Sequence, residues 1–271
     1  MTVEAVTARY DVLVLAAGRG PDDPMAKAFG VSHKCLVELG GVPMLARVLK
    51  ALAAAPHAGR IVVSIDRPDI VAQANAAAGD VEATAIASTT SAPASVIAAT
   101  SSGELTFPLL VTTGDHALLT AEMVEHFLAE SSASGADLTV GLAREETIAA
   151  AYPETKRTYF AFGRDRVSGC NLFALNSEQA LKAIAFWARL DRDRKHPFRL
   201  MRAFGLSSLA LYALGRLDLD RAFARASRKL GLVARPVDMP FAEAAIDVDK
   251  PADKALVDEI LSKQEHSPGA V

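Results

Sequence analysis

Four short stretches of this 271-residue chain carry residue types whose spacing suits phosphate and metal-ion chemistry. The first is Leu15-Ala16-Ala17-Gly18-Arg19-Gly20. Glycines let backbone amides approach phosphate oxygens closely, and the amides supply the complementary charge. An ordinary tight turn uses the same residues, so this stretch alone decides nothing. It lacks the GxxxxGK[ST] of a Walker A loop and the third glycine of a dinucleotide fingerprint. The second is Lys34, within His33-Lys34-Cys35-Leu36-Val37 and followed by Gly40-Gly41-Val42-Pro43-Met44. A lone lysine is ordinarily a solvated charge; between a glycine loop and a helix it can reach a triphosphate as a flexible point charge. The third is Thr112-Thr113-Gly114-Asp115-His116. An acid just past a buried strand suits a hard cation, and Mg²⁺ is commonly held by one or two carboxylates plus phosphate oxygens. The plain alternative is an aspartate capping a turn. The fourth runs from Ala245 through Asp247, Val248, Asp249, Lys250 and Pro251 to Asp253. On an extended segment Asp247 and Asp249 point the same way. Two close carboxylates repel unless a cation lies between them. Capping of the next helix by Asp249 or Lys250 is the competing use.

The elements that must position these stretches follow from hydrophobic periodicity. Residues 11–15, 60–65, 81–87, 107–112 and 137–142 read as strands, and 43–55, 68–78, 94–100 and 120–132 as helices, the last capped by Thr120. Strands alternating with helices indicate βαβ units and a mostly parallel sheet, whose ligands bind at the strands' carboxyl ends. The glycine loop and Asp115 both fall at such ends. Beyond residue 143 two strands are expected within 158–175, helices over 177–230, a strand at 232–238 and a helix at 251–263. The expected fold is α/β: a mostly parallel mixed sheet flanked by helices. It forms one domain over residues 1–271, with a helical insertion at about 177–230.

Composition bounds the function. Hydrophobic residues make up 51% and charged residues 23%, which supports a packed core and excludes a disordered chain. A net charge of −3 gives no case for nucleic-acid binding. Cys35 and Cys170 share no metal-ligand spacing, so a reducing, cytoplasmic setting is expected. The N-terminal segment has no basic start before its short apolar run, so no signal peptide is expected.

In this order the four stretches resemble the MobA-like NTP-transferase superfamily, which includes guanylyl-, cytidylyl- and uridylyltransferases. Its pattern is LAAGxGxRM, PK, GxP, a GDxP-like aspartate, and VDTPED. The matching residues are Leu15 to Gly20, Lys34, Gly41 to Pro43, Gly114-Asp115, and Val248 to Asp253. The resemblance implies a Rossmann-like sheet of the GT-A type and a nucleotidyltransferase joining an NTP to an acceptor phosphate with release of pyrophosphate. It implies that Asp115 and Asp249, with Asp247 beside them, hold Mg²⁺, that Lys34 binds phosphate oxygens, and that Leu15, Ala16, Ala17, Gly18, Arg19, Gly20 and Gly114 hold nucleotide. Ser95 lies where cytidylyltransferases of this group carry a serine beside the base; a helix N-cap is the alternative. Gly169 and Asn171 lie where the acceptor docks; a strand bulge is the alternative. The double alanine of LAAG favours CTP. The chain departs from the pattern in GRGPDDPM, which lacks the family arginine and has about two extra residues before Met25. It departs again at His33 and Ala117, where prolines are usual. A non-catalytic nucleotide-binding regulator on this fold, or a glycosyltransferase using Asp247-x-Asp249 on an NDP-sugar, are the rival readings.

Residues 189–229 hold eleven cations against four acids, a block of +7 that leaves −10 on the remaining 230 residues. Its apolar middle, 203–215, is too short to cross a bilayer, which takes about 20 residues. A basic, apolar helical pair fits an anionic membrane surface at the inner face or an anionic or lipid-linked acceptor; the plain alternative is a core helix with a solvated basic face, at the interface of a homo-oligomer.

Overall fold

The computed structural model describes residues 8–18, 20, 22–155, 157–193 and 206–265. The spine is a sheet of eight strands: β1 (Tyr10–Leu15), β4 (Ala58–Ile65), β5 (Thr84–Ala87), β6 (Leu109–Thr113), β7 (Leu138–Arg144), β8 (Phe160–Phe162), β9 (Asp165–Leu175) and β10 (Ala234–Asp238). Their order is β10-β7-β9-β6-β1-β4-β5, with β8 added on β9. β1 lies centrally and pairs in parallel with β4 and β6. β9 runs antiparallel to both of its neighbours, β6 and β7.

The run Val12-Leu13-Val14 is apolar throughout because both faces of β1 are covered. Val12 and Val14 face a core made with α2 (Met44–Ala53), α3 (Pro68–Ala77) and α5 (Ala121–Ala133). Leu13 faces a second core made with α4 (Ala92–Ser101) and α7 (Leu181–Asp193). All three β1 residues are fully buried. Thr120 caps α5 as its sequence promised, accepting from the Met123 amide.

A third, smaller core lies under the carboxyl ends of the strands. It joins Met25 of α1 (Pro24–Phe29), Val37, Leu39 of β2 (Glu38–Leu39), Met44, Ala117, Val248, and Val257 of α10 (Pro251–Glu265). Three of these residues flank the motif side chains: Val37 follows Lys34, Ala117 follows Asp115, and Val248 precedes Asp249. Burying them fixes where those charges emerge.

Several local elements depart from the expected ones. Asp23, itself buried, caps α1 by accepting from the Met25 and Ala26 amides, and Pro24 opens the helix. Strand β5 begins at Thr84, not at residue 81, because Gly79 and Asp80 turn the chain at φ +89° and +59°. Helix α6 (Glu145–Ala151) fills a stretch to which the periodicity assigned no element. Between β9 and β10 the described helices are α7, α8 (Leu206–Ala213) and α9 (Leu219–Leu230). Arg194, Lys195, Arg199 and Arg202 of the basic block lie outside the described residues. Among the described residues no helix is long and apolar enough to cross a membrane.

β2 and β3 (Val42–Pro43) form a hairpin whose two-residue turn is Gly40-Gly41, at φ +53° and +72°. Positive φ at both central residues is the type I′ turn that matches strand twist. A Cβ on Gly41 would meet nothing within 4 Å, so only its backbone conformation resists substitution. Gly41→Ala is therefore expected to lower stability by about 1–2 kcal/mol in urea unfolding, and Gly41→Asn by less, since asparagine tolerates the left-handed region.

Candidate active site

At the carboxyl edge of the sheet the loops after β1 and β6 are tied together. The Ala16 amide donates to the Ser64 carbonyl at 2.9 Å, and the Gly114 amide to the Leu15 carbonyl at 2.9 Å. A Cβ on Gly114 would stand 3.0 Å from the Ala16 Cβ, and one on Gly18 only 2.7 Å from His33 Nε2. Both positions are glycine because another segment already occupies that space. The Gly18 amide donates to Asp66 Oδ1 at 2.9 Å, and His33 Nε2 lies 3.3 Å from the same oxygen. His33 Nδ1 accepts from the Cys35 amide at 3.1 Å, which assigns the imidazole proton to Nε2, facing Asp66. Partial burial works against ionisation of Asp66, but the Gly18 amide and His33 outweigh it and hold the carboxyl below its ordinary value. The loop is thus clamped from beneath. Arg19 lies outside the described residues.

His33 also caps the short helical turn Lys34–Leu36 and so launches Lys34 into the site. Lys34 Nζ donates to Asp115 Oδ2 at 2.8 Å and to Asp249 Oδ1 at 2.7 Å. Its side chain is only 15% exposed. Burial alone would depress the ammonium pKa; the two carboxylates reverse this and hold it above the ordinary lysine value. The Val248 amide donates to the Asp115 carbonyl at 3.2 Å, which locks the late segment to the loop after β6. Capping of α10 falls to neither Asp249 nor Lys250. Asp253, the third helical residue, reaches back to accept from both of their amides at 3.1 and 3.0 Å. Asp249 therefore keeps its carboxylate for Lys34. The Asp115 Oδ1 atom is buried and has no hydrogen-bond partner on the protein.

Asp247 turns elsewhere, accepting from Arg157 Nη1 at 2.7 Å. The structure brings Asp115 and Asp249 onto one ammonium and sets Asp247 on a different cation. Among the described residues no group of three or more His, Cys, Asp or Glu side chains gathers as a metal site. Asp247 and Asp249 nevertheless share a cleft of 310 Å³ with Arg157, Ser168, Gly169 and Asn171. Asn171 stands at φ +51°, in a bulge where three residues of β9 oppose the single Gly141 of β7. The bulge and the cleft wall are therefore the same feature. Ser95 is not the N-cap of α4; Ser91 is. The Ser95 hydroxyl is buried, and it accepts from the Thr89 amide at 3.0 Å, ordering the loop after β5. Both cysteines are buried, and burial pushes each thiol up to about 12, so neither serves as a nucleophile near neutrality.

Sequence reasoning missed Asp66, His33 and Arg157 as parts of this edge. Asp66 follows β4 just as Asp115 follows β6, and the rule that selected one also selects the other. Arg157 has no such signal, since its role depends on a partner 90 positions away.

A sheet of this order, with a clamped glycine loop and a lysine between two aspartates, is of the nucleotidyltransferase type. The chain belongs to the MobA-like NTP transferase domain family, whose model matches residues 12–229. A hypothetical transferase from Thermus thermophilus is 32% identical, with a TM-score of 0.75 over 91% of this chain and 99% of that one. A CMP:2-keto-3-deoxy-manno-octonic acid synthetase, solved with CTP, shares the fold at 14% identity and a TM-score of 0.55, over 95% of this chain and 100% of its own. A 4-diphosphocytidyl-2C-methyl-D-erythritol synthase from Anaerococcus prevotii does so at 10% and 0.58, over 94% and 99%. No match is found among curated protein sequences.

His33→Ala removes both the cap on the Cys35 amide and the contact with Asp66. A loss of about 1–2 kcal/mol in urea unfolding is expected, with partial recovery in His33→Asn, whose side chain can still accept from that amide.

Proposed function

We propose that this protein transfers a nucleoside monophosphate, CMP foremost, from an NTP to a phosphorylated acceptor. An acceptor phosphate oxygen attacks the α-phosphorus. A new P–O bond forms, the bond to the β-phosphate's bridging oxygen breaks, and pyrophosphate leaves. The observation that carries this reading is the Lys34 ammonium held between Asp115 and Asp249 at the carboxyl edge, beside the glycine loop.

The attacking phosphate is already a nucleophile, so the protein's task is alignment and charge neutralisation. The residues fit a hard divalent cation: two carboxylates converge, and one carries a buried oxygen that no protein group satisfies. Asp115 and Asp249 would hold Mg²⁺, which when bound neutralises charge on the triphosphate and the departing pyrophosphate. Lys34 supplies a further positive charge to the phosphate oxygens. The loop from Ala16 to Gly20 and Gly114 receives the nucleotide, with Gly18 held by Asp66 and His33. Gly169 and Asn171 line the cleft that takes the acceptor, whose cations Arg157 and Lys250 stand among Asp247, Asp249 and Asp253, so the bound divalent cation would be needed to balance an acceptor phosphate there. The LAAG sequence and the cytidylyltransferase folds that resemble this one support CTP over UTP and GTP, and Ser95 contributes by ordering the loop after β5. The setting is the cytoplasm.

The test is pyrophosphate release from each of the four NTPs with Mg²⁺ and a panel of phosphorylated acceptors. Asp115→Ala and Asp249→Ala should each cut turnover by roughly 10²–10³-fold or more while circular dichroism stays native. Chelation of Mg²⁺ should abolish turnover and added metal restore it. Turnover surviving both substitutions defeats the assignment.

A further inference from the structure

Beside the polar cleft lies a second cavity of 470 Å³, within the roughly 300–1,000 Å³ of small-molecule pockets. Its walls are Phe160 and Phe162 of β8, Tyr212 of α8, and Phe223, Ala226 and Leu230 of α9. Phe160 and Phe162 are two apart on a strand and so face the same side. Phe162 meets Tyr212 edge-on at 5.9 Å between ring centres. Phe160 is 53% exposed and Tyr212 43%, an unusual outlay of aromatic surface in one place.

Phe160 also lines the polar cleft, so the two cavities share a wall. One cavity offers Lys250, Ser168 and Asn171, with Arg157 paired to Asp247 and the carboxylates of Asp249 and Asp253 beside them; its neighbour offers aromatic and aliphatic side chains, with Arg225 and Lys229 among its lining. A ligand that spans both must be charged at one end and hydrocarbon at the other. We propose that the acceptor is such an amphiphile, a single-chain phosphorylated lipid whose phosphate occupies the polar cleft and whose hydrocarbon chain fills the 470 Å³ chamber. The assignment rests on the nucleotidyl-transfer reading of the neighbouring site. It uses part of the basic helical block for recognition of one acceptor molecule, not for contact with a membrane surface.

The test uses the full chain and a series of monoalkyl phosphates from ethyl to octyl, each kept below its micelle-forming concentration, with dissociation constants measured by calorimetry. Affinity should rise by about fourfold per methylene until the chamber is full. Ala226→Trp fills the chamber and should flatten the series. Ala222→Trp, one turn away on the same wall, is the second variant, and unfolding midpoints identify either one as misfolded. A series that is flat in the unaltered protein overturns the chamber, as does one that stays steep in both folded variants. Substitutions that change only the oligomeric state would make a second copy the occupant and also overturn it. Mg²⁺-dependent binding of CTP is measured in parallel. Its absence would remove the nucleotidyl reading, and the acceptor role with it, whatever the alkyl series does.

Discussion

One ammonium group holds the site together. Lys34 bonds to carboxylates 81 and 215 positions further along the chain, so three distant segments converge on one nitrogen. Without it, Asp115 and Asp249 would confront each other as like charges in a partly buried place, where screening is weak. Ion pairs of this kind recover their desolvation cost only when the geometry is good. Here the geometry comes from the small third core. Val37, Ala117 and Val248 are buried within a few residues of each charged partner, so the apolar packing and the ion pair specify the same arrangement.

The same economy governs the glycine loop. Gly18 and Gly114 are held by close approach of other segments, and Asp66 pins the Gly18 amide while His33 presses from below. A loop fixed in this way meets a ligand without paying to be ordered first, which is what preorganisation means energetically. The cost is intolerance. There is no room for a methyl group at position 18 unless His33 moves.

The parallel-sheet plan was legible because βαβ periodicity is a local signal, repeated several times in the first 140 residues. The glycine loop and Asp115 were legible because each follows the end of a buried strand, and Lys34 because it lies between that loop and a helix. Other features were not, because they depend on partners remote in sequence. Asp253 takes over the capping of α10 and so leaves Asp249 for Lys34. Asp247 is drawn to Arg157 and away from its neighbour's cation. Ser95, four residues past the true cap at Ser91, bonds to a loop instead of starting its helix. The residues before Met25 read as an insertion against a family pattern, yet Asp23 caps and Pro24 opens a helix that buries Met25. In each case spacing identified the residue and only the tertiary contact identified its task.

The reversed direction of β9 decides which parts of the chain build the cleft. Its amino-terminal half arrives at the edge where the parallel strands end, so the cleft holding Gly169 and Asn171 is built from chain that comes after β7. The glycine loop, Lys34 and Asp115 all come before it. The site is therefore assembled from two halves of the polypeptide, joined by the strip from Asp247 to Asp249. The two halves nonetheless share one core, which joins Val12 and Val14 to Cys170, Leu172 and Val237. A change of side-chain volume in either half is therefore felt at the cleft edge through that common packing.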